Sequence, residues 1–134
     1  MIPLKELHVG NWVIPASEGN NIEGQIEQVD NEQAYVNAMN NLFWYNPDEL
    51  DPIPLTEEQL ASFGFVKSDD PVINGHGQAY IRGPFTLKYV DKNNKDHISL
   101  TYMGDHSREI TDGLYVHQLQ NHYNGMTKIL LEKE

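Results

Sequence analysis

The sequence predicts an α+β chain rich in β-strand, with a small antiparallel barrel over residues 1–55 and an antiparallel-sheet lobe with two short helices over residues 56–134. Three observations predict it. Short strand-like segments recur about every ten residues with Gly, Asn and Asp between them, the spacing of an antiparallel sandwich or barrel. Between Thr56 and Phe65 one short helix carries both its start and its stop signals. Near the C-terminus Val116, Leu119, Tyr123 and Met126 recur at steps of three, four and three, an apolar stripe of helical period.

In the first half, Leu7 and Val9 lead through the Gly10-Asn11 turn into a strand at Trp12-Val13-Ile14. Gly24 to Val29 reads as a second strand, ended by an Asp30-Asn31 turn. Ala34 to Ala38 reads as a third, and Leu42-Phe43-Trp44-Tyr45 as a fourth. The opening, Val9-Gly10-Asn11-Trp12-Val13, resembles the first strand of SH3-like barrels, which implies a short turn and a closing strand within residues 46–53. Trp12, Tyr35, Trp44 and Tyr45 are the candidate binding surface, since such barrels hold extended peptides on exposed aromatics. Side chains alternate along a strand, so about half of these rings point inward to the core.

Asp51 to Phe65 joins the halves. Pro52 and Pro54 fix φ and remove two donors, which predicts an extended edge or linker. Thr56 with Gln59 three residues later is a capping box, and Glu57 and Glu58 suit the positive end of the helix dipole. That dipole match is the reading adopted for the two acids, in preference to paired catalytic carboxylates. Gly64 supplies the left-handed stop and Phe65 the apolar contact back to Leu60 expected of a Schellman motif. A helix over residues 57–63 is too short to stand alone and needs Leu60, Phe63 and Phe65 packed on a sheet.

Residues 67–77 are dense in turn formers and read as a loop. The paired glycines around His76 are followed by neither a helix pattern nor Lys-Ser/Thr, so they are not a phosphate loop. Antiparallel strands are expected over about residues 79–110, including a hairpin at 85–103 turning at Asp91 to Asp96. Thr111-Asp112-Gly113 then predicts the start of a helix over about residues 114–124 with Gly125 as its stop. Residues 126–131 fit either a helical continuation or a last strand. At 134 residues the chain suits one compact domain or two small lobes sharing a core.

Composition narrows the function. Zero cysteines exclude disulfides, thiolate zinc ligands and thiol catalysis. No apolar run approaches the roughly twenty residues of a membrane span, and no basic-then-apolar leader opens the chain, so a cytoplasmic protein is expected. Residues 1–55 carry one basic side chain, Lys5, against nine acids, a net of −8 out of the chain's −11. Neutralising phosphates needs Lys and Arg on the contacting face, which argues against nucleic acid as a partner of this half.

Two phrases carry a resemblance: Pro52-Ile53-Pro54-Leu55-Thr56-Glu57-Glu58 with Phe63-Gly64-Phe65, and Tyr115 to Asn121 with Tyr123. Together with Val9 to Val13 they resemble a large group of uncharacterised proteins of Bacteroidetes and their prophages or mobile elements. The resemblance touches both halves and implies a phage or mobile-element setting, without implying an activity. The chain departs from the group's usual wording at Gln59, His122, Asn124 and Thr127-Lys128, and its last helix is the more polar for it.

No catalytic constellation stands out. His117, Gln120, Asn121 and Asn124 form a polar patch on the last helix, fit either for recognition or acid/base work or for anchoring the helix to adjacent strands. His117 and His122 are five apart, which fails the spacing of a helical zinc pair. Nucleophile elbows and dinucleotide fingerprints are missing, so no catalytic residue, metal ligand or cofactor is expected. The leading expectation is a non-catalytic interaction or accessory protein with an unknown protein partner and no membrane association. The alternatives are an acidic mimic of DNA that inhibits a basic host protein, and a hydrolase or metal-dependent enzyme built on a histidine site.

Overall fold

The computed structural model describes residues 1–16 and 22–134. Among the described residues, ten strands lie in two five-stranded antiparallel sheets, accompanied by three α-helices. The chain divides into two compact units: Met1–Pro54 with Tyr115–Glu132, and Leu55–Leu114 with Lys133–Glu134.

The first unit is a meander of β1 (Trp12–Pro15), β2 (Gly24–Val29), β3 (Ala34–Ala38), β4 (Asn41–Tyr45) and β5 (Leu50–Asp51) in the order β4-β3-β2-β1-β5. The turns are set by local chemistry. Asp30 Oδ1 accepts from the N–H groups of Glu32 (2.8 Å) and Gln33 (2.6 Å), which closes the β2–β3 turn. Met39 and Asn40, both at positive φ (51° and 67°), make the two-residue turn between β3 and β4. A 3₁₀ turn at Pro47–Glu49 delivers β5 back to β1, with Ile14 opposite Asp51 and Pro15 opposite Leu50. β5 has two residues before Pro52 ends its donors, and β4 and β5 remain the edges of the sheet. The sheet is therefore a half-barrel, and the closed barrel expected for residues 1–55 is not seen. Ile2, Leu7, Val13, Ile26, Val36, Tyr45 and Leu50 form its core.

The helix expected in the second lobe belongs to this first unit. α3 (Val116–Thr127) packs on β1 and on the 3₁₀ turn Leu4–Glu6. The N–H of Val116 bonds the carbonyl of Ile53 (3.0 Å), and Tyr115 bridges Pro54. The helix starts two residues later than expected because Gly113, at φ 76°, gives its N–H to the carbonyl of Asp96 (3.0 Å) and serves a turn instead. It also runs through Gly125. The left-handed residue that ends it is Lys128, at φ 66°. Residues 129–134 form neither helix nor strand.

The second unit holds α1 (Glu57–Ser62), β6 (Val66–Lys67), α2 (Pro71–Asn74), β7 (Gln78–Arg82), β8 (Phe85–Asp91), β9 (Asn94–Tyr102) and β10 (His106–Ile110). Its sheet order is β10-β9-β8-β7-β6. Half of the expected capping box is present at α1: Thr56 Oγ1 accepts from the Gln59 N–H (3.1 Å), while Gln59 Oε1 does not return a bond to the Thr56 N–H. Its stop is a Schellman motif, with Phe65 N–H bonded to Leu60 O and Gly64 N–H to Ala61 O, each at 3.0 Å. Leu60, Phe63 and Phe65 are buried, and the Phe65 ring meets Phe85 of β8 edge-on at 6.0 Å. The expected loop at residues 67–77 contains the end of β6 and one helical turn, α2. Asp70 caps it by accepting from the Val72 N–H (2.9 Å), and Pro71 fills its first position.

Candidate functional site

The polar patch of α3 turns inward. Gln120 is buried and uses both ends of its amide: Oε1 accepts from the Trp12 N–H (2.9 Å), while Nε2 donates to the carbonyls of Gly10 (2.8 Å) and Leu131 (3.0 Å). Asn121 donates to the Glu6 carbonyl (2.7 Å) and accepts from Asn11 Nδ2 (3.0 Å). Asn11 is itself buried, and its Oδ1 accepts from the His8 N–H (2.7 Å). The Gly10-Asn11 turn and the Gln120-Asn121 pair are thus one hydrogen-bonded clasp between α3 and the start of β1. Backbone groups that a strand entry leaves open are satisfied here by two side-chain amides.

His117 is 1% exposed. Its Nε2 lies 2.8 Å from Glu6 Oε1, which also accepts from Gln118 Nε2 at 3.4 Å. Burial pushes the His117 pKa below the ordinary histidine value, against the pull of the Glu6 carboxylate. The neutral ring therefore donates from Nε2 to a carboxylate, and its Nδ1 has no hydrogen-bond partner among the described residues. The Tyr115 ring stacks near it at 6.4 Å. A recess of about 140 Å³ opens beside His8, Asn11, Asn121, Asn124 and Leu130, and His117 does not line it. Ligand pockets are commonly about 300–1,000 Å³, so this one suits a few waters better than a substrate. Among the described residues no three His, Asp or Glu side chains converge as a metal-binding group.

The four candidate aromatics separate by strand alternation and edge position. Tyr45 is 4% exposed and belongs to the core, while Trp12 and Tyr35 are half-buried. Trp44 is 42% exposed on β4. Tyr35 and Trp44 sit opposite each other on β3 and β4, and their rings lie 5.0 Å apart, tilted by 35°. Leu42 and Asn37 are the next pair on that face, and Glu27 Oε2 accepts from Asn37 Nδ2 (2.9 Å). Phe43, on the opposite face, is 54% exposed because β4 ends the sheet and nothing among the described residues covers its flank. So Leu42, Phe43 and Trp44 form a run of exposed apolar residues on an edge strand. Leu42 and Phe43 escaped the sequence reading, which looked for Trp and Tyr. The signal was the uncharged run Asn41 to Tyr45 after a two-residue turn, which marks a hairpin arm without saying that it is an edge.

Four carboxylates of the first half have local partners. Glu6 holds His117, Asp30 closes a turn, Glu49 accepts from the Asn46 N–H (2.8 Å), and Asp51 lies 3.4 Å from the N-terminal amine. Glu18 lies outside the described residues. No helix of the described residues is long and apolar enough to cross a membrane. No family model, curated protein or solved structure matches this chain.

Proposed function

We propose that this chain is a non-catalytic interaction module, an accessory protein that binds a protein partner through the Tyr35–Trp44 surface and the adjoining β4. The observation that carries the reading is the exposed run Leu42-Phe43-Trp44 beside the Tyr35 ring. Aromatic side chains dominate the energetics of protein interfaces, and contiguous exposed apolar residues in a soluble domain mark contact sites. The order of the meander, with a 3₁₀ turn and a short fifth strand returning to β1, supports an SH3-like reading of the half-barrel. A phage or mobile-element setting in the cytoplasm is part of the same proposal and rests on the resemblance of the Pro52–Phe65 and Tyr115–Tyr123 phrases.

The histidine-enzyme reading is the weaker one, since His117 is enclosed and its carboxylate partner anchors a helix. The acidic-mimic reading is weaker as well, because turn and cap duties account for several of the carboxylates. The test is retention of a protein from a lysate of the native cells by the tagged full chain. Trp44→Ala should lose the retained protein while remaining folded by circular dichroism, and Asn124→Ala in the recess should keep it. Equal retention by Trp44→Ala and loss by Asn124→Ala would contradict the reading.

A further inference from the structure

Resting on the reading of β4 as the contact surface, we infer that its free edge accepts an extended, Lys- or Arg-bearing segment of the partner as a sixth strand of the sheet. The backbone is placed for it. Ala38 and Asn41 flank the two-residue turn and form a hydrogen-bonded pair, and alternation then pairs Val36 with Phe43 and Ala34 with Tyr45 in the same manner. Leu42 and Trp44 therefore point their N–H and C=O groups away from β3, where no strand of the described residues lies. An added strand gains main-chain hydrogen bonds there and lays its side chains beside Trp44 and Tyr35 on one face and Phe43 on the other.

The molecule's edges differ in how they are protected. β10, an edge of the second sheet, carries His106, Arg108 and Glu109, while β5 and β6 are two residues long. Charge and shortness are ordinary defences against strand pairing. β4 is five residues long with no charge, no proline and no bulge against β3.

Charge identifies the occupant. No Lys or Arg occurs between Lys5 and Lys67, so the whole first sheet lacks a basic side chain. Asp30, Glu32 and Asp48 are exposed toward the Tyr45 end of β4, where Gln33 Nε2 bonds Asn46 Oδ1 (3.1 Å) and links the two turns. A second copy of this chain would bring another sheet of the same sign and none of the complement. A segment with Lys or Arg near one end meets these carboxylates and is steered to the edge by them.

The experiment is selection from a random twelve-residue peptide library on the immobilised full chain, then titration and amide hydrogen exchange with the peptides recovered. Peptides with alternating apolar residues and at least one terminal Lys or Arg are expected. They should protect the Leu42 and Trp44 amides and bind at least tenfold more weakly in Leu42→Pro. The Leu42 N–H points outward, so the proline leaves the β3 pairing intact, and circular dichroism checks that the variant is folded. The inference is overturned by failure to recover peptides, by proline-rich or acidic ones, or by affinity unchanged in folded Leu42→Pro. A dimer in sedimentation with the β4 amides protected overturns it too, by making a second copy the occupant. Loss of the native partner in Trp44→Ala would still stand in those cases, with recognition by side chains alone.

Discussion

Gln120 carries more structural responsibility than any other side chain of the polar patch, because one buried amide bonds three backbone groups, of which the Gly10 carbonyl also accepts from Gln25 Nε2 (3.2 Å). Leaving a buried donor or acceptor unmet costs about 1–3 kcal/mol. Gln120→Leu should therefore lower unfolding free energy by roughly 3 kcal/mol or more, read as a shift in the urea midpoint, whereas Asn124→Ala should stay within about 0.5 kcal/mol. His117 makes stability depend on pH with a definite sign. Its folded pKa is depressed, so below the ordinary value near 6.5 the unfolded chain takes up a proton that the folded chain refuses. Stability should be full above that value and fall as pH drops toward the depressed one. Urea midpoints between pH 7.5 and 5 should show the fall in wild type, with a shallower slope in His117→Gln. The anchoring role of this patch was legible in the sequence, but its partners were not. Polar residues on one helix face look alike whether they meet solvent or the carbonyl of Gly10, which lies far away in the chain.

At the scale of elements, local chemistry predicted what local chemistry governs. The capped α1, its Schellman stop at Gly64-Phe65, the Asp30 turn and the hairpin of β8 and β9 all depend on residues within a few positions of one another. Asp70-Pro71 was an equally local start signal for α2, masked by the turn formers around it. The start of α3 was misplaced because Gly113 answers to Asp96, a partner on β9 that no window around residue 113 contains. Of the glycines around His76, Gly75 ends α2 at φ 57°, while Gly77 finds its reason across the sheet. A Cβ on Gly77 would fall on the carbonyl of Tyr89, so the backbones must touch there. Gly77→Ala should destabilise the second unit by roughly 2 kcal/mol or more, measured by thermal unfolding, since the obstacle is backbone. Burial also pushes the Tyr89 hydroxyl up to about 12. The folded chain thus keeps a proton that the unfolded chain loses from pH 10 upward, and spectrophotometric titration of Tyr89→Phe against wild type should remove one late-ionising tyrosine.

For the molecule as a whole, the boundary near residue 55 was legible in the prolines and the charge step, but the ownership of the last helix was not. α3 joins the first unit through Gln120, Asn121 and His117, and a contiguous reading has no means of crossing sixty residues of intervening sheet. A fragment of residues 1–55 lacks the amides that bond the Trp12 N–H and the Glu6 carbonyl, and it should be unfolded by circular dichroism. A chain joining residues 1–54 to 115–132 by a flexible linker should recover strand signal; a folded 1–55 fragment would show the clasp to be dispensable. The resembling phrases around Gly10-Asn11, Pro52-Ile53-Pro54 and Tyr115–Asn121 thereby acquire a structural meaning: within the first unit they bond one another. That leaves Leu42, Phe43 and Trp44, which stay exposed on β4 although Trp44 meets the Tyr35 ring and Phe43 the Tyr45 ring. Site-specific photo-crosslinking in the native cells separates the two surfaces most directly, with the reactive residue placed at Phe43 or at Asn124. A covalent protein adduct should form from Phe43 and not from Asn124. An adduct from Asn124 with none from Phe43 would move the function to the α3 recess and contradict the assignment to β4.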